Sequence, residues 1–362
     1  MKLDYKRTLF IGLAFLSISA FWQLYDNIIP LILQNTFKLG ETMAGTIMAI
    51  DNVLALFLLP IFGAFSDRIN TKFGKRTPFI VIGTIIAVVF MVLIPIADQS
   101  KNFILFFIFL GIVLLAMGTY RSPAVALMPD LTPKPLRSKA NAIINLMGAV
   151  GGILTLAMIS LLIPKVDNPN YFTIFTSVAL LMIVSVSILL IAINENKLSK
   201  ELKLSDTAEE ATFEDDTIEY TMPKDVKKSL IFILTSVFLW FTAYNAVTTA
   251  FSRYAVTVWG LKGGGFANAL MVAYGAAILS YLPIGIVSSN IGRKKTIIAG
   301  IIMMSISYFF GFLFTSYSPI VNILFAIIGI GWSAINVNSY PMVVEMSRSS
   351  DVGKYTGLYY TF

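Results

Sequence analysis

The stretch Gly63-Ala64-Phe65-Ser66-Asp67-Arg68-Ile69-Asn70-Thr71-Lys72-Phe73-Gly74-Lys75-Arg76 decides how this chain is read. It is a short polar turn between two apolar runs. A degenerate copy follows 222 positions later as Gly285-Ile286-Val287-Ser288-Ser289-Asn290-Ile291-Gly292-Arg293-Lys294-Lys295. Farther from this loop, Trp22, Tyr25 and Asp26 are echoed by Trp240, Tyr244 and Asn245 at an offset of 218 or 219. Self-similarity at this distance, with the basic cluster kept after the turn, predicts two copies of one helical unit in the same orientation.

Composition says where those units reside. Of 362 residues 57% are hydrophobic and only 13% are charged, with a mean hydropathy of +0.79. A soluble domain carries about 25% charged residues, so this surface is built for lipid. Apolar runs long enough to cross a hydrocarbon core about 30 Å thick fall at roughly 8–29, 43–65, 78–97, 103–124, 141–163, 171–193, 229–251, 266–288, 295–316 and 319–344. An eleventh run begins near Lys354 and stops with Phe362. The first run continues past Ser17-Ile18-Ser19-Ala20 to Ile29 without a polar break, so it reads as a retained helix and not as a cleaved signal. With the N-terminus placed in the cytoplasm, 21 of the 27 Lys and Arg residues fall in inside segments and five in outside ones. That asymmetry predicts a multi-pass protein of the cell membrane with a cytoplasmic N-terminus. The organisation expected is an N-terminal six-helix bundle over 1–193, a cytoplasmic linker over 194–228 with the acidic run Glu209 to Asp216, and an incomplete C-terminal bundle over 229–362.

Two absences narrow the chemistry. With no Cys there is no disulfide, thiolate nucleophile or Cys-ligated metal. With no His there is no imidazole base and no His-based triad. No metal and no cofactor are called for, and proton handling falls to carboxylates. The net charge of +7 follows from the basic inside loops and needs no nucleic acid.

Two parallel six-helix units form the architecture of a two-bundle transporter, with substrate held at the midplane between the bundles. The Gly63-x-x-x-Asp67-Arg68 pattern followed by Gly74-Lys75-Arg76 resembles the signature loop of the major facilitator superfamily. Its stretched form, through Ile69 to Phe73 and on to Thr77-Pro78-Phe79-Ile80, is similar to the sucrose/proton symporter group (glycoside-pentoside-hexuronide-like) and, more distantly, to the sodium/melibiose carriers. Asp130-Leu131-Thr132-Pro133 and Arg137-Ser138-Lys139-Ala140-Asn141 strengthen the first match. The paired carboxylates of the sodium/melibiose carriers would fall at Ala55 and Leu59, so that sodium site is not reproduced. The sucrose group carries an arginine two positions after the proline of the fourth span, where this chain has Val125; Arg121, one helical turn earlier on the same face, is a candidate replacement. The resemblance implies an all-α, two-bundle fold (6+6 parallel repeat).

An ionisable side chain in a membrane span is expensive, about 2.5–3.5 kcal/mol at the centre on insertion scales, and is a functional candidate for that reason. Asp26, Asp51 and Arg121 are therefore the expected proton-coupling residues. Sugars offer an apolar C–H face to aromatic rings and hydroxyls to amides, so Trp22, Tyr25, Asn27, Tyr244, Asn245, Trp332 and Asn336 are the expected substrate-binding set. Trp240, Gln23, Asn145 and Asn338 stand beside them, and Trp259 reads as an interfacial belt residue. The resemblance makes Gly63, Asp67, Arg68, Gly74, Lys75, Arg76, Asp130 and Arg137 a cytoplasmic gate, with Asp67 facing the start of an eleventh helix.

The function expected is a proton-coupled symporter for a sucrose- or maltose-type glucoside, monomeric in the bilayer, working by alternating access. A cation-coupled carrier or a drug or metabolite exporter of the same superfamily is the alternative. An intramembrane enzyme is disfavoured because Asp215-Asp216 lies in the linker and not at a membrane face, and a sensor because no large domain is appended. Subtracting the repeat offset maps Phe362 onto Ile143, about 50 residues before the end of the first copy. The sequence is thus expected to be a twelve-helix carrier truncated at its C-terminus.

Overall fold

The computed structural model describes residues 3–69, 71–133, 136–166, 168–201, 223–344, 346 and 359. Among these, ten long helices are apolar enough to cross a membrane. They are α1 (Tyr5–Asn35), α2 (Glu41–Arg68), α3 (Thr77–Gln99), α4 (Phe103–Asp130), α5 (Arg137–Leu162), α6 (Phe172–Ala192), α7 (Lys224–Thr257), α8 (Phe266–Ile291), α9 (Arg293–Leu313) and α10 (Val321–Val344). Each of the ten full-length apolar runs is recovered. Several helices outrun the apolar stretch, because polar and charged residues extend them past the hydrocarbon: α1 starts at Tyr5, capped by the Asp4 carboxylate accepting from the Arg7 amide at 3.0 Å. Most of the eleventh run lies outside the described residues, as does the acidic run of the linker.

The chain divides into two compact units, 1–215 with 262–264, and 216–261 with 265–362. In the first, α1 packs along α5 and α6, while α4 lies against α2 and α3. Small residues make the closest of these contacts possible. A Cβ on Gly151 would collide with the Leu16 backbone, so α5 meets α1 main chain to main chain. The Tyr120 hydroxyl adds a bond to the Ala14 carbonyl at 3.0 Å, tying α4 to α1. In the second unit α10 lies against α8 and α9, as α4 lies against α2 and α3.

The internal repeat is therefore visible in packing, and it extends to single bonds. Ser66 Oγ donates to the Gly63 carbonyl at 2.8 Å, and its counterpart Ser288 donates to the Gly285 carbonyl at 3.0 Å. The two loops then diverge. Residues 69–76 separate α2 from α3, whereas α8 and α9 are joined by Gly292 alone, at φ 93°. Outward-facing side chains are strongly apolar, Ile191 being 87% exposed, as contact with acyl chains requires.

Candidate functional site

Two places in the first unit and one in the second gather the candidate residues. The first is the α2–α3 loop. Thr71 and Gly74 bridge backbone to backbone, Gly74 takes φ 118°, and the turn delivers Arg76 into a buried slot, 4% exposed. There its guanidinium donates to Asp130 at 2.8 Å and to the Gly63 carbonyl at 3.3 Å, and it also bonds Ser66 and the Asp67 carboxylate. Lys75 Nζ reaches Asp130 at 3.9 Å. One buried arginine thus links the end of α2 to the end of α4, through carboxylates that satisfy its fork of donors. Arg68, expected in the same network, is exposed and enters no ion pair among the described residues; Arg76 fills the buried slot instead. Arg137 begins α5, and its side chain lies outside the described set.

Sequence reading missed the other half of this arrangement. Glu195, assigned to the linker, is 4% exposed and caps the start of α3. Its carboxylate accepts from the amides of Lys75 (2.7 Å), Arg76 (3.0 Å) and Thr77 (2.9 Å) and from the Thr77 hydroxyl (2.8 Å). A carboxylate there also meets the positive end of the helix. Asn196 Nδ2 donates to the Thr71 and Lys72 carbonyls at 3.0 and 2.9 Å. The first residues after α6 are therefore a clasp on the loop and not a free tether. Asn194-Glu195-Asn196, three polar residues directly after an apolar run, was the available signal. At the opposite end of the unit, Asp98 shares a hydrogen bond with Thr36, and Tyr171 one with Asn35. Burial and the neighbouring Asp98 charge push the Tyr171 phenol up, so it stays neutral.

The second place is the middle of the first unit. Asp26 on α1, Asp51 on α2 and Arg121 on α4 lie within range of one another's charge. Arg121 is nine residues from the end of α4, about 14 Å at 1.5 Å per residue, deeper than a fourth span ending near residue 124 implied. Its guanidinium sits over the Trp22 ring, 5.6 Å from the centroid. Trp22, Asp51 and Arg121 line a small, partly open recess whose remaining wall is apolar, with Leu54, Leu58 and Leu114. Asn52, unremarked in the sequence, donates to Asp51 at 3.0 Å. Tyr25 is only 2% exposed and its hydroxyl bonds the Met48 carbonyl at 3.4 Å, so it joins α1 to α2. Asn27 is buried and donates to the Gln23 carbonyl and side chain at 2.9 and 3.1 Å, while Asn145 is exposed.

The third place is an aromatic cluster in the second unit. Trp332 on α10 stacks at a tilt on Tyr244 (4.1 Å) and Trp240 (4.9 Å) of α7, and Trp240 lies parallel to Tyr244 at 5.8 Å. Tyr281 of α8 shares a hydrogen bond with Trp332. Asn336 donates to the Trp332 carbonyl at 3.1 Å, one turn along the same face. Asn245, next to Tyr244 in the chain, is exposed. The repeat-related pair in α1 differs: Trp22 and Tyr25 meet edge to face at 5.4 Å and 88°. The Nε1 atoms of Trp22 and Trp240 are alike buried without a hydrogen-bond partner. Trp259 donates to the Phe314 carbonyl at 2.7 Å, a bond that anchors it between helix ends.

The family model described as Major Facilitator Superfamily matches residues 11–362. Sucrose transport protein SUC3 of Arabidopsis thaliana is 25% identical in a 152-residue alignment that covers 37% of this chain and 25% of that protein. The match thus spans about a quarter of the length of this curated relative. Among solved structures, a D-xylose-proton symporter superposes with a TM-score of 0.68 at 15% identity, covering 99% of this chain and 85% of the other. The nucleoside transporter NupG does so with a TM-score of 0.64 at 16% identity, covering 99% and 87%. At such identities these structures bear on the fold alone.

Proposed function

Because this chain belongs to the major facilitator superfamily, we propose that it is a secondary active transporter, a monomer of the cell membrane that carries a sucrose- or maltose-type glucoside inward together with protons. The observation that carries this reading is the set Asp26, Asp51 and Arg121, three ionisable side chains from three helices in the middle of one unit. Two carboxylates and one guanidinium leave one net negative charge when all are ionised. A single proton neutralises the set, and a neutral set is the one that can be carried through a low-dielectric interior at least cost. The carboxylates load from the more acid outside face and release inside, with the N-terminus in the cytoplasm.

The sugar half of the reading is supported by the Trp240, Tyr244 and Trp332 cluster with Asn336 at its edge, which offers ring faces for C–H groups and an amide for a hydroxyl. It is also in keeping with what the curated relative, a sucrose transport protein, and the structural neighbour, a D-xylose-proton symporter, are named for. The loop network of Arg76, Asp67, Asp130 and Glu195 acts as the gate that alternates access, closing the cytoplasmic face while the other is open. The two units, joined by the segment after α6, are the moving parts.

Uptake of labelled glucosides into proteoliposomes, with and without an imposed proton gradient, tests the reading. Uphill accumulation should require the gradient, and Asp26→Asn should abolish it while sparing sugar exchange. Gradient-independent uptake of every sugar, or undiminished uphill uptake by Asp26→Asn, would overturn it.

A further inference from the structure

Arg121 is within range of the charge of two carboxylates and pairs with neither. Both Asp26 and Asp51 feel its charge, yet Arg121 enters no ion pair within 4.0 Å among the described residues. Its defined partner is the Trp22 ring, 5.6 Å from the guanidinium carbon. That ring is itself held. Phe21 meets it edge-on at 5.0 Å and 74°, and Tyr25 at 5.4 Å and 88°. Tyr25 in turn is buried with its hydroxyl on the Met48 carbonyl of α2. A continuous bracket therefore runs from α2 through two aromatic side chains of α1 to the guanidinium on α4.

We propose that Trp22 is a positioning residue whose ring face holds Arg121 off both Asp26 and Asp51, leaving the two carboxyls free to take up a proton. The proposal reassigns Trp22 from sugar platform to the coupling machinery, and its use in transport rests on the proton-coupled reading above. The physical argument is a competition. A guanidinium gains from an aromatic face when it is shielded from water, and gains more from a carboxylate in direct bidentate contact. A direct pair would lock that carboxylate in its charged form and remove it from proton exchange. A rigid ring at the right distance leaves the guanidinium in reach of both charges without committing it to either. The groups that face the constellation are Tyr25 and Asp26 from α1, Asp51 from α2 and Arg121 from α4. Tyr120 of α4 is turned to the Ala14 carbonyl, and α3, α5 and α6 bring no ionisable side chain to the middle of the unit.

Infrared titration of the protonated-carboxyl C=O band in proteoliposomes of the whole chain reads this directly, with Asp26→Asn and Asp51→Asn assigning the band. Trp22→Leu removes the ring face, and its band midpoint should move toward acid by about one pH unit or more, the usual effect of an arginine brought against an aspartate. Trp22→Phe keeps a face and should hold the wild-type midpoint. If Trp22→Leu fails to insert, Trp22→Met supplies the same loss of ring with more of the volume retained. The sugar half-saturation of the Leu or Met variant should change less than the pH midpoint does. A midpoint that stays put without the ring, or moves equally in Trp22→Phe, would overturn the proposal, as would a tenfold rise in half-saturation with an unmoved midpoint. Carboxyl bands that shift as expected while wild-type uptake ignores the proton gradient would instead defeat the proton-coupled reading, so the two failures are told apart.

Discussion

Replacing Glu195 by Gln tests whether the segment after α6 carries the α2–α3 loop. The carboxylate now serves four donors, three backbone amides at 2.7, 3.0 and 2.9 Å and the Thr77 hydroxyl at 2.8 Å. Gln keeps the size but offers one acceptor oxygen and turns an NH2 group toward the remaining N–H groups. Hydrogen bonds to a charged acceptor contribute about 1.5–3 kcal/mol each against about 0.5–1.5 for neutral ones, and an orphaned buried donor costs about 1–3. Losing the charge at the helix start removes about 0.3–1 more. Because these terms overlap, the net loss in local stability is about 3–4 kcal/mol. At 1.4 kcal/mol per decade that is roughly 10²–10³ in local opening. Hydrogen–deuterium exchange of the amides at 75–77, followed by mass spectrometry in proteoliposomes, should show protection falling by that factor, while amides in the middle of α3 keep theirs. Exchange at 75–77 within about threefold of wild type, against a decade per 1.4 kcal/mol, would refute the argument, since it would mean the carboxylate adds little to the loop it touches.

Two further outcomes are expected in the same region. Gly74→Ala should lower the thermal midpoint far more than Gly292→Ala: both sites have positive φ, costing about 1–2 kcal/mol for a side chain, but a Cβ at 74 meets the Glu195 carboxylate whereas nothing lies within 4 Å at 292; equal losses in thermal denaturation would contradict this. Arg76→Lys should destabilise by about 3 kcal/mol or more, because one ammonium cannot replace a buried fork serving Asp67, Asp130, Ser66 and Gly63; a thermal shift assay showing no loss would oppose it.

The fold was largely legible because membrane helices announce themselves locally. An apolar stretch of about 20 residues must become a helix to satisfy its own backbone, so each of the ten runs could be located without tertiary information. The repeat was legible for a similar reason: Ser66 and Ser288 make the same bond because the same short motif meets the same helix geometry. Helix ends were less legible. Polar residues such as Lys6 and Lys227 continue α1 and α7 beyond the apolar limit, and hydropathy does not register them.

Sequence alone also singled out the ionisable side chains within the spans, since Asp26, Asp51 and Arg121 stand out in apolar surroundings wherever the helices pack. Their relations had to come from tertiary structure. That Arg121 lies over Trp22 and pairs with neither carboxylate depends on how α1, α2 and α4 are rotated about their axes, which no local pattern encodes. Glu195 lies 118 to 120 positions from the amides it caps, and Asp130 lies 54 from Arg76. Charge and hydropathy act along the chain and can be read from it; a hydrogen bond depends on distance and angle in space, and only the packed helices bring those partners together.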